Sequence, residues 1–475
     1  MATERWMTCM KDHTEFAYQA VYRYLVRLAN QEQGQLVLKM PLLRQLACRL
    51  RVSISTVQSA YSLLEKEGRV YSVAKSGYYT VPRSSASDPQ HSRNDDLLHA
   101  LLCNARRPGM LLLNSDEPTL LHWAESPLLT IECELARHYP RSREADFQPF
   151  GEPELRTALA ARYTHDAAHC WHADNVYITP DVLAAFMMVI DTLQLRGGAV
   201  LVESPCAWFM LRVLQSLDIQ VHELPLDETG SLDPEQLERL LVENTPGLVV
   251  LSSFLNPLRG SARPSSNSQA LADVINRHKV WVLENDSHSA LSFAGEACHL
   301  RHLIDPQRLV IIGAFDKTLG PEAPYGYLLC SQLEDRWHAG FLLRAFGLPR
   351  LRQRAIARLY SSARLDTRLS GLRDVLAERT SAMTQQLNEH AGDALRYEVP
   401  AGGCGVWAES RYPVNMRQVF ERMLDERIVI APGELFSLQG RYAQCLRISC
   451  AIDWSRDVAG LLTKLGEAVN RARLP

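Results

Sequence analysis

Residues 308–329 read RLVIIGAFDKTLGPEAPYGYLL. The run Leu309-Val310-Ile311-Ile312 has the continuous apolar character of a strand buried on both faces. It delivers a lysine, Lys317, to a glycine-containing turn. An unpaired ammonium is costly to bury. A lysine at the end of an interior strand therefore either snorkels to water or has a covalent task. Upstream, the strand-like runs Ala199–Val202, Gly247–Leu251 and Val280–Leu283 alternate with helical patterns at Asp233–Glu243 and Ser266–His278. That rhythm predicts an α/β fold built on a mostly parallel sheet. Ligands of such sheets sit beyond the carboxyl ends of the strands. Three polar points fall there: Asn256-Pro257, Asn285-Asp286 and Lys317.

A chain of 475 residues is too long for one ordinary core, so at least two domains are expected. The 46% hydrophobic and 22% charged content is that of a soluble globular protein, with no run fit to span a bilayer. Met1-Ala2-Thr3-Glu4-Arg5 opens no apolar signal core, and the eleven scattered cysteines include no CxxC pair. Both point to a reducing, cytoplasmic setting without disulfides, and no metal site is expected. Charge is uneven. Residues 1–83 hold twelve Lys and Arg against six Asp and Glu, a net of +6, which leaves −9 of the total −3 for the remainder. A basic end on an acidic body suggests that this end meets a polyanion.

Residues 15–30 and 41–50 carry helical apolar spacing, with Pro41 suited to a first turn. A third helix follows, with Ser53 as N-cap and Gly68 as its stop. Two short strands, Arg69–Val73 and Tyr78–Val81, flank the turn Lys75-Ser76-Gly77. Three helices and a hairpin make a winged helix-turn-helix. The third helix would offer the hydroxyls and amides of Ser53-Ile54-Ser55-Thr56 to phosphates and base edges, with Lys75 at the wing tip. Double-stranded DNA is the expected partner; a helical subdomain that binds another protein is the alternative.

Met40-Pro41-Leu42-Leu43-Arg44, Val52–Val57, Ala60-Tyr61, Glu67-Gly68 and Ser76–Tyr79 resemble the GntR family of bacterial regulators. The resemblance implies that Arg44, Ser53, Ser55, Thr56 and Gly77 lie near DNA. Ile54 departs from it, standing where the family usually has arginine.

The remainder resembles fold-type I aminotransferases, which use pyridoxal 5'-phosphate. The residues that carry this are Phe150–Arg156, Tyr177–Pro180, Glu203-Ser204-Pro205, Asn256-Pro257, Phe315–Leu319 with Gly326-Tyr327, Ala401-Gly402-Gly403 and Leu446-Arg447-Ile448. The resemblance implies a Schiff base at Lys317 and a ring-oxygen contact from Asn256. It places Asn285 or Asp286 at the pyridine nitrogen, Val182 in the phosphate turn and Trp208 on the ring. Arg447 would grip an effector carboxylate. The combination resembles the MocR type of regulator. It implies domains at 1–82 and 105–475 joined by a linker at 83–104, with a small C-terminal α+β part. It also implies a head-to-tail homodimer and an effector that is an amino acid or a vitamin B6 compound.

Several positions break the pattern. Asn285 can hydrogen-bond but cannot supply the charge that keeps a pyridine ring protonated, and a one-residue shift would restore Asp286. Pro324 stands where an arginine normally helps bind phosphate, and the phosphate turn reads Pro180-Asp181-Val182. These losses favour a sensor over an efficient transaminase. An active aminotransferase and a regulator with a cofactor-free scaffold stay open as alternatives. His165 and His169 would share a helix face as a weak metal pair.

Overall fold

The computed structural model describes residues 17–31, 39–73, 76–80, 93–122, 126–138, 147–167, 169–293 and 298–474. The chain divides into two compact units, Met1–Leu111 and Leu112–Pro475.

In the first unit, helices α1 (Ala17–Gln31), α2 (Leu43–Leu50) and α3 (Ile54–Lys66) precede an antiparallel hairpin, β1 (Val70–Val73) and β2 (Gly77–Thr80). Their apolar faces meet in one core containing Val21, Leu25, Leu46, Val57, Tyr61 and Leu64. The link between α2 and α3 is tight because Arg51 takes a left-handed conformation, φ 53°, and returns its N–H to the end of α2. Pro41 lies just before the α2 N-cap, Leu42, and not inside the first turn. Gly68 stops α3 with φ +66°, as its position suggests. Lys75 lies outside the described residues, as do Val81 of the second expected strand and residues 83–92 of the expected linker. From Arg93 to Ala105 that stretch is a helix, α4. Its buried Leu97, Leu98 and Leu101 outweigh the polar composition that precedes them.

The second unit is built on a seven-stranded sheet. Its strands are β3 (Val176–Thr179), β4 (Ala199–Ser204), β5 (Gln220–Pro225), β6 (Leu248–Ser252), β7 (Trp281–Asn285), β8 (Leu309–Ala314) and β9 (Gly326–Leu329). The spatial order is β3-β9-β8-β7-β6-β4-β5. Six strands, β3 to β8, run in one direction, and only β9 opposes them, antiparallel to both β8 and β3. Along β8, Leu309 and Ile311 enter one core while Val310 and Ile312 enter the other. That is the two-sided burial expected of a continuous apolar run. A four-stranded antiparallel sheet forms the small C-terminal part: β10 (Leu395–Tyr397), β11 (Gly405–Ser410), β12 (Ala431–Pro432) and β13 (Cys445–Ser449). Among the described residues no helix is long and apolar enough to cross a membrane.

Candidate functional site

Lys317 is the second residue of a four-residue helix, α5 (Asp316–Leu319), directly after β8. Its Nζ donates to the Asp116 carbonyl at 2.7 Å and lies 3.2 Å from Asp116 Oδ2 and 3.4 Å from Asp316 Oδ2. Arg447, on β13, places Nη2 2.7 Å from Asp116 Oδ1 and donates from Nη1 to the Ser115 carbonyl at 2.9 Å. His288 Nε2 is 3.3 Å from Asp116 Oδ2, and Cys404 Sγ is 3.4 Å from Asp116 Oδ1. The lysine and arginine singled out from sequence thus do converge, but on a carboxylate of the chain itself. Asp116 belongs to the loop before the short turn Pro118–His122. Sequence reasoning passed over it, because nothing local to Asn114-Ser115-Asp116-Glu117 distinguishes it from a solvated acidic loop.

The electrostatics agree with the contacts. Burial alone would raise the Asp116 carboxyl, but Lys317, His288 and Arg447 hold it well below the usual carboxylate range. Burial alone would lower the Lys317 ammonium, and Asp116 and Asp316 more than reverse that. Arg447 is likewise shifted up by Asp116 against its own burial. The Cys404 thiol is pushed up to about 12, chiefly by burial. Asp116 and Asp316 thus hold Lys317 as an ammonium in this arrangement.

Asn256, 3% exposed, follows β6. Its Nδ2 donates to Glu203 Oε1 at 2.7 Å and the Pro205 carbonyl at 3.3 Å. Its Oδ1 accepts from the Leu258 and Arg259 amides. Glu203 is in turn paired with buried Arg263. Asn285 ends β7, and its Oδ1 accepts from the Ser287 amide and hydroxyl. Asp286 turns to other partners: the Tyr163 hydroxyl at 2.6 Å, Ser289, and Arg301 at 3.2 Å. It lines a 620 Å³ cavity with Tyr163, His299, Arg301 and Tyr327. Trp208 opens the helix α6 (Trp208–Ser216), half-buried.

Val182 begins the helix Val182–Thr192, whose N-cap is Asp181. The Asp181 carboxylate accepts from the Ala184 amide at 2.7 Å. Gly326 of β9 packs so closely that a Cβ there would lie 2.4 Å from the Asp181 carbonyl oxygen. A helix N-terminus can hold a phosphate, but this one already holds a carboxylate of its own. Asp316 adds a second negative charge beside Lys317, and Pro324 has no donor to offer. The residues present do not fit the phosphate of pyridoxal phosphate, although the lysine is kept.

In the first unit, Ser53 caps α3: its Oγ accepts from the Thr56 amide at 3.1 Å and contacts the hydroxyls of Ser55 and Thr56. Arg44, Ser53 and Ser55 are exposed, and Thr56 is half-buried. Ile54 is 47% exposed on the same end, an apolar side chain where a cation was expected. Gly77 begins β2 with φ +116°.

The histidines fall differently from expectation. The helix Pro153–Tyr163 ends before them, so His165 and His169 lie in a loop, where each Nδ1 sits 3.0 Å from Asp166. Glu284, Asp286 and His299 are close enough to share a metal, but the Arg301 guanidinium already stands between the two carboxylates.

Residues 110–463 match the family model described as aminotransferase class I and II. The chain is 26% identical over 449 residues to the HTH-type transcriptional regulator YjiR of Escherichia coli (strain K12), covering 91% of this chain and 94% of the relative. It is 20% identical over 442 residues to the HTH-type transcriptional regulator NorG of Staphylococcus aureus (strain USA300), covering 90% and 98%. In fold it is similar to LysN, the alpha-aminoadipate aminotransferase of Thermus thermophilus, crystallised with N-(5'-phosphopyridoxyl)-L-leucine. The TM-score is 0.69 at 22% identity, over 80% of this chain and 95% of that one. The multiple substrate aminotransferase of Thermococcus profundus gives 0.70 at 19% identity, over 80% and 97%.

Proposed function

Because the chain belongs to the class I and II aminotransferase family, we propose that it is a family member recast as a DNA-binding transcriptional regulator. Its second unit serves as the receptor for a small-molecule effector. The observation that carries this reading is the separate first unit, a winged helix whose α3 presents Ser53, Ser55 and Thr56 at an open N-terminus. Relatives that match over nearly their whole length are HTH-type regulators. Arg44 and Gly77 complete the DNA-facing side.

The effector site is the Lys317–Arg447 pair. Pyridoxal phosphate was the expected occupant. Against it stand the Asp181 carboxylate in the phosphate turn and the Asp316 carboxylate beside Lys317. An amino acid or other small carboxylate suits the pair better, since Arg447 offers two parallel donors. The protein acts in the cytoplasm as a homodimer, so that two winged helices read two half-sites.

The test is selection of binding sequences from a random duplex pool, followed by anisotropy titration of the selected duplex across a salt series. Affinity should fall with a log–log slope of about −0.9 per phosphate neutralised. No selectable sequence at low salt would refute the reading. Titration with pyridoxal phosphate, read by absorbance, should give no saturable aldimine band. A band lost in Lys317→Ala would restore the cofactor.

A further inference from the structure

We propose that Asp116 is a resident carboxylate ligand of the Lys317–Arg447 site, and that the site takes a free small carboxylate by exchanging it for Asp116. This rests on the reading of that pair as the effector site, and it names both the ligand class and the residue that sets it.

The charges require exchange and not addition. Two permanent cations, Lys317 and Arg447, face two carboxylates, Asp116 and Asp316. A third carboxylate added with Asp116 in place would be uncompensated in a site where Arg447 is 2% exposed. A ligand carboxylate that takes over the Asp116 contacts leaves the balance unchanged. A phosphate dianion could not do so, because it would bring two charges for one.

The two partners differ in freedom. Arg447 is fixed in a strand, paired across from Trp407 and Ala431. Asp116 sits in a loop, and its side chain is 40% exposed, so it can turn out to water. Its hold is also imperfect. It meets one guanidinium nitrogen, Nη2, while Nη1 is taken by the Ser115 carbonyl. Among the described residues, buried Arg447 Nε and His288 Nδ1 have no hydrogen-bond partner. A free carboxylate can engage Nη1 and Nη2 together, the bidentate geometry that Asp116 does not reach.

Acetate is the probe. Asp116→Ala removes the resident carboxylate and leaves a space of matching chemistry. Thermal melts of the full-length protein compare sodium acetate with sodium chloride at equal ionic strength. The expected result is a rise of about 2–4 °C for Asp116→Ala in acetate and none for wild type. The double variant Asp116→Ala/Arg447→Met should lose the acetate effect. If Asp116→Ala does not fold, the near-isosteric Asp116→Asn serves. Its acetate affinity by calorimetry should be at least about tenfold tighter than wild type, for loss of the competing charge. Equal acetate responses in wild type and variant would overturn the proposal. So would equal stabilisation by inorganic phosphate. DNA binding is measured on the same preparations: its absence beside intact acetate exchange would remove the regulator reading and leave the exchange standing.

Discussion

Arg301→Met tests the charge arithmetic beneath the site. Arg301 stands between Glu284, 0% exposed, and Asp286, which is 3.2 Å away. Both carboxylates lie at the end of β7, one on each side of Asn285 in the sequence. His299, 3.8 Å from Asp286, is lowered to about 4 by burial first and Arg301 second; with Arg301 gone, burial still opposes its taking up the lost charge. Removing one partner of a buried ion pair costs about 3–5 kcal/mol, out of a total stability of about 5–15 kcal/mol. The sign with pH follows from Glu284. Burial raises its folded-state pKa above the unfolded value, and loss of Arg301 raises it further. An acid shifted up contributes stability at low pH and loses it as pH rises through the folded value. The penalty should therefore be larger at pH 8 than at pH 5, by up to about 1.4 kcal/mol for each unit of added shift. Urea unfolding followed by tryptophan fluorescence is the assay. Trp6 is the one tryptophan before Leu112, so the signal reports on the second unit. Adding Glu284→Gln should recover part of the loss at pH 8. A penalty below about 1 kcal/mol at pH 8, or one that grows toward acid, would refute the reasoning.

Three further outcomes are expected. Ser53→Ala removes the cap on the Thr56 amide; it should cost about 1 kcal/mol in first-unit stability and weaken DNA binding, read by melting and anisotropy. At Asp181, Asn should keep the cap on the helix Val182–Thr192 while Ala loses about 0.5–2 kcal/mol; if the charge is what excludes phosphate, Asp181→Asn should bind inorganic phosphate more tightly than wild type by calorimetry. Asp116 is held well below the usual range when folded, so its contribution is present above the unfolded value of about 3.9 and lost as pH falls through the folded one. Acid unfolding profiles of Asp116→Asn should be flatter than those of wild type below about pH 4.

What could be read from sequence follows the range of the forces involved. The run Leu309–Ile312 fixes its own burial, because every residue is apolar and both sheet faces must be covered; β8 came out where its pattern put it. Ser53 and Gly68 act on the residues beside them, so the bounds of α3 were legible too. The helix Arg93–Ala105 was hidden by the serines and proline before it. Its evidence was Leu97, Leu98 and Leu101, spaced for one face. The histidine pair failed for a local reason: the helix stops at Tyr163, and Thr164 is extended. Asp116 is a different case. It contacts residues 172, 201 and 331 positions away, and no periodicity or spacing encodes a meeting of that kind.

Asp116, Asp181 and Asp316 have one physical effect in common. Each puts a carboxylate of the chain where an anion would otherwise be received: at the arginine, at a helix N-terminus and beside the lysine. Single acids at such points would only weaken binding of an anionic group. The three together satisfy these donors from within the chain. The same substitutions leave Lys317 and Arg447 charged and held in place, and Asn285 contributes no charge of its own. A site built this way keeps two fixed cations able to receive an anion. On the exchange proposed above, a ligand that displaces Asp116 acts on the backbone leading from Leu112 to Pro118. Signalling then needs only that the loop have two positions with different free energies, and ligand binding chooses between them by its differential affinity.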